Sequence, residues 1–296
     1  MTAPVRLQVE HETRYHYSAP VELAHHVAFL RPLEDARQQV EAFELSVEPQ
    51  PSHQASGDDV FGNRRIFFSA TSAHQSLRVL ATSRVRVSPR PAFDPAATPP
   101  WEALAGRLRY HGGAPFEPAA EFCAPSPYVP RLAALRDYAR PSFTAGTPVA
   151  VGALELMHRI HREFRYETAS TAIDTPLQQV LAERRGVCQD FAHLMIGALR
   201  SLGLSARYVS GYLLTTPPEG QAPLQGADAS HAWVSVHCPG IEGGWLDLDP
   251  TNDLVVSTGH VRLAYGRDYG DVTPLRGVIR GGGRHTLEVR VRTTRA

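Results

Sequence analysis

Three side chains suited to joint thiol chemistry, Cys188, His231 and Asp249, lie in separate segments of this 296-residue chain. Cys188 stands in Arg185-Gly186-Val187-Cys188-Gln189-Asp190-Phe191-Ala192-His193, where Gly186 reads as the stop of one helix and Cys188 as the start of the next. Over residues 191–199 only His193 interrupts an apolar run, so the second helix belongs in the middle of a domain. A cysteine on the first turn of a helix meets free backbone N–H groups and the positive end of the helix dipole, and both favour thiolate. The same N–H groups are suited to hold the oxyanion that forms when sulfur attacks a carbonyl. Alone, Cys188 reads equally well as a small buried side chain, as most free cysteines are.

The downstream residues change that balance. On a strand through Ser230-His231-Ala232-Trp233-Val234-Ser235, His231, Trp233 and Ser235 share one face. The next strand puts Trp245, Asp247 and Asp249 together. If the two strands are antiparallel neighbours, His231 and one of the aspartates face each other across the ladder. A histidine oriented by a carboxylate and aimed at a helix-tip cysteine meets the needs of thiol catalysis: the imidazole takes the thiol proton and later protonates the leaving amine. Each member also has an ordinary reading, His231 as a satisfied sheet histidine and Asp249-Pro250 as a turn. Their combination, in this order, is far more specific. A serine hydrolase using Ser210 or Ser230 fails, because neither sits in a Gly-x-Ser-x-Gly elbow.

The elements that carry these residues follow from periodicity. Val5-Arg6-Leu7-Gln8-Val9-Glu10-His11 and residues 77–87 alternate with period two, with further strand segments at 13–17, 23–30, 40–47 and 65–68. A turn falls at Asp58-Asp59-Val60-Phe61-Gly62-Asn63. Residues 1–90 therefore predict an antiparallel β-sandwich domain. Its histidines, His11, His16, His25 and His26, lack metal-site spacing and read as exposed strand positions. Pro89, Pro91, Pro95, Pro99 and Pro100 open a proline-rich helical linker over residues 91–140.

The catalytic core is expected over residues 141–270. Thr147-Pro148 opens a helix whose apolar face carries Leu154, Met157, Ile160 and Phe164. His158 and His161 share a face of that helix, read as solvated rather than metal-binding. Thr175-Pro176-Leu177-Gln178 has the form of a capping box for a helix ending at Gly186, and the Cys188 helix closes at Gly203. Strands follow at 206–214, 230–238 and 244–249, with Pro217-Pro218-Glu219-Gly220 and Gly226 marking a long loop. Residues 271–296 form a C-terminal β tail, with Leu287, Val289 and Val291 alternating after Gly281-Gly282-Gly283. The fold class is α+β.

Bulk properties exclude several functions. Thirty basic and thirty acidic residues cancel, so nothing favours nucleic acid or an anionic membrane as partner. No apolar run approaches the roughly 20 residues that cross a bilayer. The first residues lack the pattern of a secretory signal, and three scattered cysteines do not form a disulfide framework, which together predict a cytoplasmic protein. Lysine is absent. Base composition accounts for that; an enzyme whose acceptor is a lysine amine, spared from modifying itself, is the functional alternative.

The blocks Gly186-Val187-Cys188-Gln189-Asp190-Phe191-Ala192, Ala206-Arg207-Tyr208-Val209-Ser210-Gly211-Tyr212, Ser230-His231-Ala232-Trp233-Val234 and Gly244-Trp245-Leu246-Asp247-Leu248-Asp249-Pro250-Thr251-Asn252 resemble the core of the transglutaminase-like superfamily. The first 90 residues, around Tyr15-His16-Tyr17 and Phe61-Gly62-Asn63, resemble the β domain that precedes this core in a bacterial branch of the family, and Tyr265-Gly266-Arg267-Asp268-Tyr269 fits that branch too. The resemblance implies a papain-like fold with the nucleophile at Cys188, the base at His231 and the orienting acid at Asp249, the Asp249-Pro250-Thr251 context selecting it over Asp247. It implies no metal and no cofactor. It also points to an aromatic oxyanion donor before the nucleophile helix, for which Tyr166 is the match and Gln189 the rival.

The activity so implied is acyl transfer on an amide or isopeptide bond through a thioester, with hydrolysis by a protease, isopeptidase or amidase favoured. A protein-glutamine transamidase and a non-catalytic scaffold are the alternatives. The substrate class is a peptide, a protein or a small amide; oligomeric state is left open.

Overall fold

The computed structural model describes residues 3–113, 115–168, 175–215 and 230–296; the loop signals at Pro217-Pro218-Glu219-Gly220 and Gly226 lie outside them. Strands β1 (Val5–Ala28), β2 (Gln38–Glu48), β3 (His53–Asp58), β4 (Arg64–Ala70) and β5 (His74–Val87) come first, then helices α1 (Trp101–Leu108), α2 (Ala133–Ala139) and α3 (Val149–Glu163). Next are β6 (Arg165–Tyr166), α4 (Leu177–Glu183), β7 (Arg185–Gly186) and α5 (Cys188–Ser201). The chain continues through β8 (Ala206–Leu213), β9 (Ser230–His237), β10 (Trp245–Asp249), β11 (Leu254–Val255) and β12 (His260–Gly266), and ends with α6 (Tyr269–Val272), β13 (Leu275–Gly281) and β14 (His285–Arg295). The fold is α+β, as the sequence predicts.

The segments expected as separate strands at 5–11, 13–17 and 23–30 are one strand. β1 runs for 24 residues and belongs to two halves of a single curled antiparallel sheet. Its first half lies between β5 and β14, its second between β4 and β13. The curl brings Tyr17, Val21, Ala24, Phe68, Leu77 and Val79 into one apolar core. The C-terminal strands thus complete the sheet that the first 90 residues begin, a long-range pairing that local periodicity does not encode.

The second sheet has the order β11-β10-β9-β8-β12, with every pair antiparallel. Helix α5 is buried from Asp190 to Arg200. Its Phe191, Leu194, Met195 and Leu199 join one core with Val234, Val236, Leu246 and Leu248 of the sheet. At about 25 cal/mol per Å² of apolar surface, such burial is the largest favourable contribution to holding a helix in place. The apolar run around Cys188 is therefore what fixes the helix against the strands that carry His231 and Asp249.

The first sheet docks on the second through two carboxamides. Gln38 donates to Arg262 O at 2.8 Å and accepts from Arg262 N at 2.8 Å. Asn63 does the same with Tyr265 O and Tyr265 N, both at 2.7 Å. Each side chain pairs with the edge of β12 as a further strand would, which protects an otherwise open edge. The Phe61-Gly62-Asn63 turn noted in the sequence supplies one of these two contacts.

Several local expectations differ from the structure. His11 and His26 are buried, not exposed: His11 Nδ1 shares a hydrogen bond of 2.8 Å with the Tyr212 hydroxyl, and the His26 ring stacks on Phe68. Helices α3 and α4 begin one residue later than predicted, with Pro148 and Pro176 at their N-caps. Helix α4 stops at Glu183 rather than Gly186, because Arg184 adopts a left-handed backbone (φ 54°). The Arg184 guanidinium then lies over the Phe164 and Tyr138 rings, at 4.7 and 4.9 Å from their centroids.

Candidate active site

Cys188 is the first residue of α5, with Val187 as the extended N-cap. The Asp190 carboxylate turns back and accepts the Val187 N–H at 2.8 Å, closing the helix start with an acidic group where the dipole favours one. This fold-back requires Gly186, since a Cβ there would stand 2.7 Å from Asp190 Oδ2. The Gly186-Val187-Cys188-Gln189-Asp190 string is thus a device for presenting the sulfur on a rigid helix tip. Cys188 is partly exposed.

Tyr166 lies beside this tip. Strands β6 and β7 are parallel, with Tyr166 opposite Gly186, and the Glu167 N–H donates to Gly186 O at 3.0 Å. The Tyr166 ring meets Phe191 edge-on. The aromatic residue suggested from the segment before α5 therefore neighbours the residues leading into Cys188.

His231 is the second residue of β9. The register Leu248↔Val234 makes Asp249 a diagonal neighbour of His231 rather than the directly opposed one expected. The side chains still meet: His231 Nε2 donates to Asp249 Oδ2 at 2.9 Å, with both side chains fully buried. Asp249 also accepts from the backbone N–H groups of Thr251 and Asn252 at 3.0 and 3.2 Å and from Asn252 Nδ2 at 2.9 Å. A further donor is His260 Nε2, at 3.3 Å from Oδ2.

The electrostatics follow from these contacts. Burial alone would disfavour the Asp249 carboxylate, but the charge and hydrogen bonds of His231, with support from His260, outweigh it and hold the carboxyl far below its usual range. Burial likewise opposes a charged His231, yet Asp249, through charge and a hydrogen bond, and the nearby Cys188 sulfur raise its pKa well above that of free imidazole. With Nε2 committed to Asp249, Nδ1 is the nitrogen left for the thiol. It is buried, and among the described residues no group meets it in full hydrogen-bond geometry. The Cys188–His231 interaction is therefore looser than a formed bond, as is common before a substrate tightens a site.

The other two cysteines have different surroundings. Burial drives the Cys238 thiol far up and pushes Cys123 up to about 11. His193, the break in the apolar run of α5, is a structural residue: its Nε2 accepts the Tyr269 N–H at 3.1 Å. His158 and His161 are both exposed, as expected, and each also makes a specific contact. His158 pairs with Asp253, and His161 Nδ1 donates to Thr251 O at 3.0 Å, so both brace the turn that follows Asp249.

Sequence reasoning missed His260 and Asn252. Asn252 was readable, since Asp249-Pro250-Thr251-Asn252 is a turn whose amide can fold back on the aspartate. His260 was not, because strand β12 went unassigned and its register across β8 is a tertiary fact. Gly211 makes that register workable: a Cβ there would come within 2.2 Å of Val261 O and 2.3 Å of the Trp233 ring.

Comparisons with known proteins bear on the family and the fold. The bacterial transglutaminase-like N-terminal region matches residues 7–86, and the transglutaminase-like superfamily matches residues 136–250. An uncharacterised Mycobacterium tuberculosis protein is 41% identical over 279 residues, covering 93% of this chain and 87% of its own length. A Pseudomonas aeruginosa protein-glutamine gamma-glutamyltransferase is 34% identical over 125 residues, covering 41% of this chain and 18% of the relative. The solved structure of a candidate cysteine protease from Cytophaga hutchinsonii superposes with a TM-score of 0.74 at 22% identity, covering 99% of this chain and 91% of that one, and so shares the fold.

Proposed function

The chain belongs to the transglutaminase-like superfamily, and from that premise we propose that it is a cysteine-dependent acyl-transfer enzyme that hydrolyses amide or isopeptide bonds of a peptide, protein or small amide. Cys188 is the nucleophile, His231 the acid–base group and Asp249 its orienting partner. The observation that carries the reading is the buried His231–Asp249 pair beside a partly exposed thiol on a helix tip.

In the first half-reaction, His231 Nδ1 holds the thiol proton while sulfur adds to the carbonyl carbon. The oxyanion is held by backbone N–H groups of the first turn of α5, with Tyr166 as the second donor. His231 gives its proton to the leaving amine, the C–N bond breaks and a thioester remains. Water then loses a proton to His231, attacks the thioester and releases the acid, with the proton returning to sulfur. Partial exposure of Cys188 favours water as the acceptor.

One observation favours a second reading. The chain contains no lysine, so a transamidase using lysine amines as acceptors would not modify itself, and the Pseudomonas relative carries the name of such an activity. Mass spectrometry after exposure to a chloroacetamide probe tests the shared thiol chemistry: Cys188 should label far faster than Cys123 or Cys238. Equal labelling, or function that survives Cys188→Ala intact, would leave only a scaffold role. Incorporation of a fluorescent amine into a glutamine peptide would select the transamidase.

A further inference from the structure

His260 is buried on β12, yet its side chain reaches a carboxylate on β10, with two strands, β8 and β9, lying between. The route passes over Gly211, whose missing side chain leaves room for the Trp233 ring. That ring meets His260 edge-on at 5.2 Å between centroids, fixing the imidazole from the side. Asp249 is already oriented without it, by two backbone N–H groups and the Asn252 amide. A second imidazole on Oδ2 is therefore surplus to holding the carboxylate in place, and burying a titratable ring costs free energy.

We propose that His260 is a positioning residue which, by donating Nε2–H to the same Asp249 oxygen that receives His231, limits how tightly the carboxylate holds the His231 proton. This rests on the acyl-transfer reading above. A neutral donor withdraws charge from the carboxylate, so the carboxylate pulls less strongly on the imidazolium beside it. His231 must surrender that proton to the leaving amine, and a carboxylate left to His231 alone would retain it. The titratable groups facing this pair are His231 on β9, Asp249 and Asp247 on β10, and Cys188 on α5. Burial keeps His260 itself neutral, with its pKa lowered despite Asp249.

The test follows the alkaline step in Cys188 alkylation by iodoacetamide, which reports loss of the His231 proton and needs no known substrate. In His260→Leu the step should move up by about half a pH unit or more, roughly a threefold change in the proton equilibrium. His260→Gln, whose amide can donate to the same oxygen, should stay close to wild type. A step unchanged in His260→Leu, or displaced equally in both variants, overturns the proposal. Should His260→Leu not fold, nitrogen-15 NMR of the wild-type imidazoles decides: a neutral His260 protonated on Nε2 supports the role, and a charged or Nδ1-protonated ring overturns it. A wild-type Cys188 that labels no faster than Cys123 would count against the enzyme reading, while the NMR measurement would still judge the His260–Asp249 contact.

Discussion

His231 Nε2 lies 2.9 Å from Asp249 Oδ2 with both side chains sealed from solvent, although the two residues sit diagonally across the β9–β10 ladder. A pair so enclosed has no water to substitute for either partner, so removal of one is felt fully by the other. Asp249→Asn should cut turnover by roughly a hundred- to ten-thousandfold, the range in which loss of an orienting carboxylate falls. The raised His231 pKa adds a signed pH effect. The imidazolium that protonates the amine persists well above pH 6.5 in the wild type, so activity should decline only at distinctly alkaline pH. In Asp249→Asn that alkaline limb should move down toward the ordinary histidine range. A rate profile against pH for both proteins checks this, and an unmoved limb would separate His231 from Asp249 in function.

Gly186→Ala tests the presentation of the thiol. The added methyl would stand 2.7 Å from Asp190 Oδ2, so the carboxylate must leave the Val187 N–H or the β7 backbone must shift. Overpacking of this kind costs about 1–3 kcal/mol. A lowered melting temperature together with slower Cys188 alkylation is expected. If reactivity stays at the wild-type level while stability falls, the Asp190 fold-back serves the helix and not the sulfur.

Asn63→Ala addresses the junction between the sheets. It removes both hydrogen bonds to Tyr265 and leaves an edge N–H and C=O of β12 without those partners, at about 1–3 kcal/mol for groups denied water. Hydrogen exchange should accelerate at the Tyr265 amide and spread along β12 toward His260. Unchanged exchange there would mean that the contacts at Arg262, from Gln38 and the Leu33 N–H, hold the edge without Asn63.

How far the sequence could be read depended on whether the information was local. The helix bearing Cys188, the strands bearing His231 and Asp249 and the Asp249-Pro250-Thr251 turn each announce themselves within a dozen residues. Strand β1 does not, because a 24-residue strand shared by two half-sheets has no local mark that distinguishes it from several short ones. Pairing of β14 with β1 across nearly the full chain, the register that takes His260 to Asp249 and the burial of His11 against Tyr212 are all tertiary. Capping shows the same limit on a smaller scale: threonine followed by proline marks a helix start correctly in kind, while the true N-cap falls on the proline.

Those buried histidines also set how the fold responds to acid. His11, His26 and His193 are held neutral by burial, with pKa values lowered to about 4 from the ordinary 6.5. Between these limits the unfolded chain binds protons that the folded chain refuses, so stability falls as pH drops from about 6.5 to about 4. His231 acts elsewhere: because its folded pKa is raised, its contribution is complete below about 6.5 and is lost only as pH climbs through the higher value. Asp249, depressed far below 3.8, weakens the fold only below that range. The melting temperature should therefore fall steadily from pH 7 to pH 4, by on the order of 5 °C or more in total. His11→Gln, which can keep a hydrogen bond to Tyr212, should make that slope shallower. A melting temperature flat across the window would mean that these rings take up protons in the folded protein and are not sealed as their burial indicates.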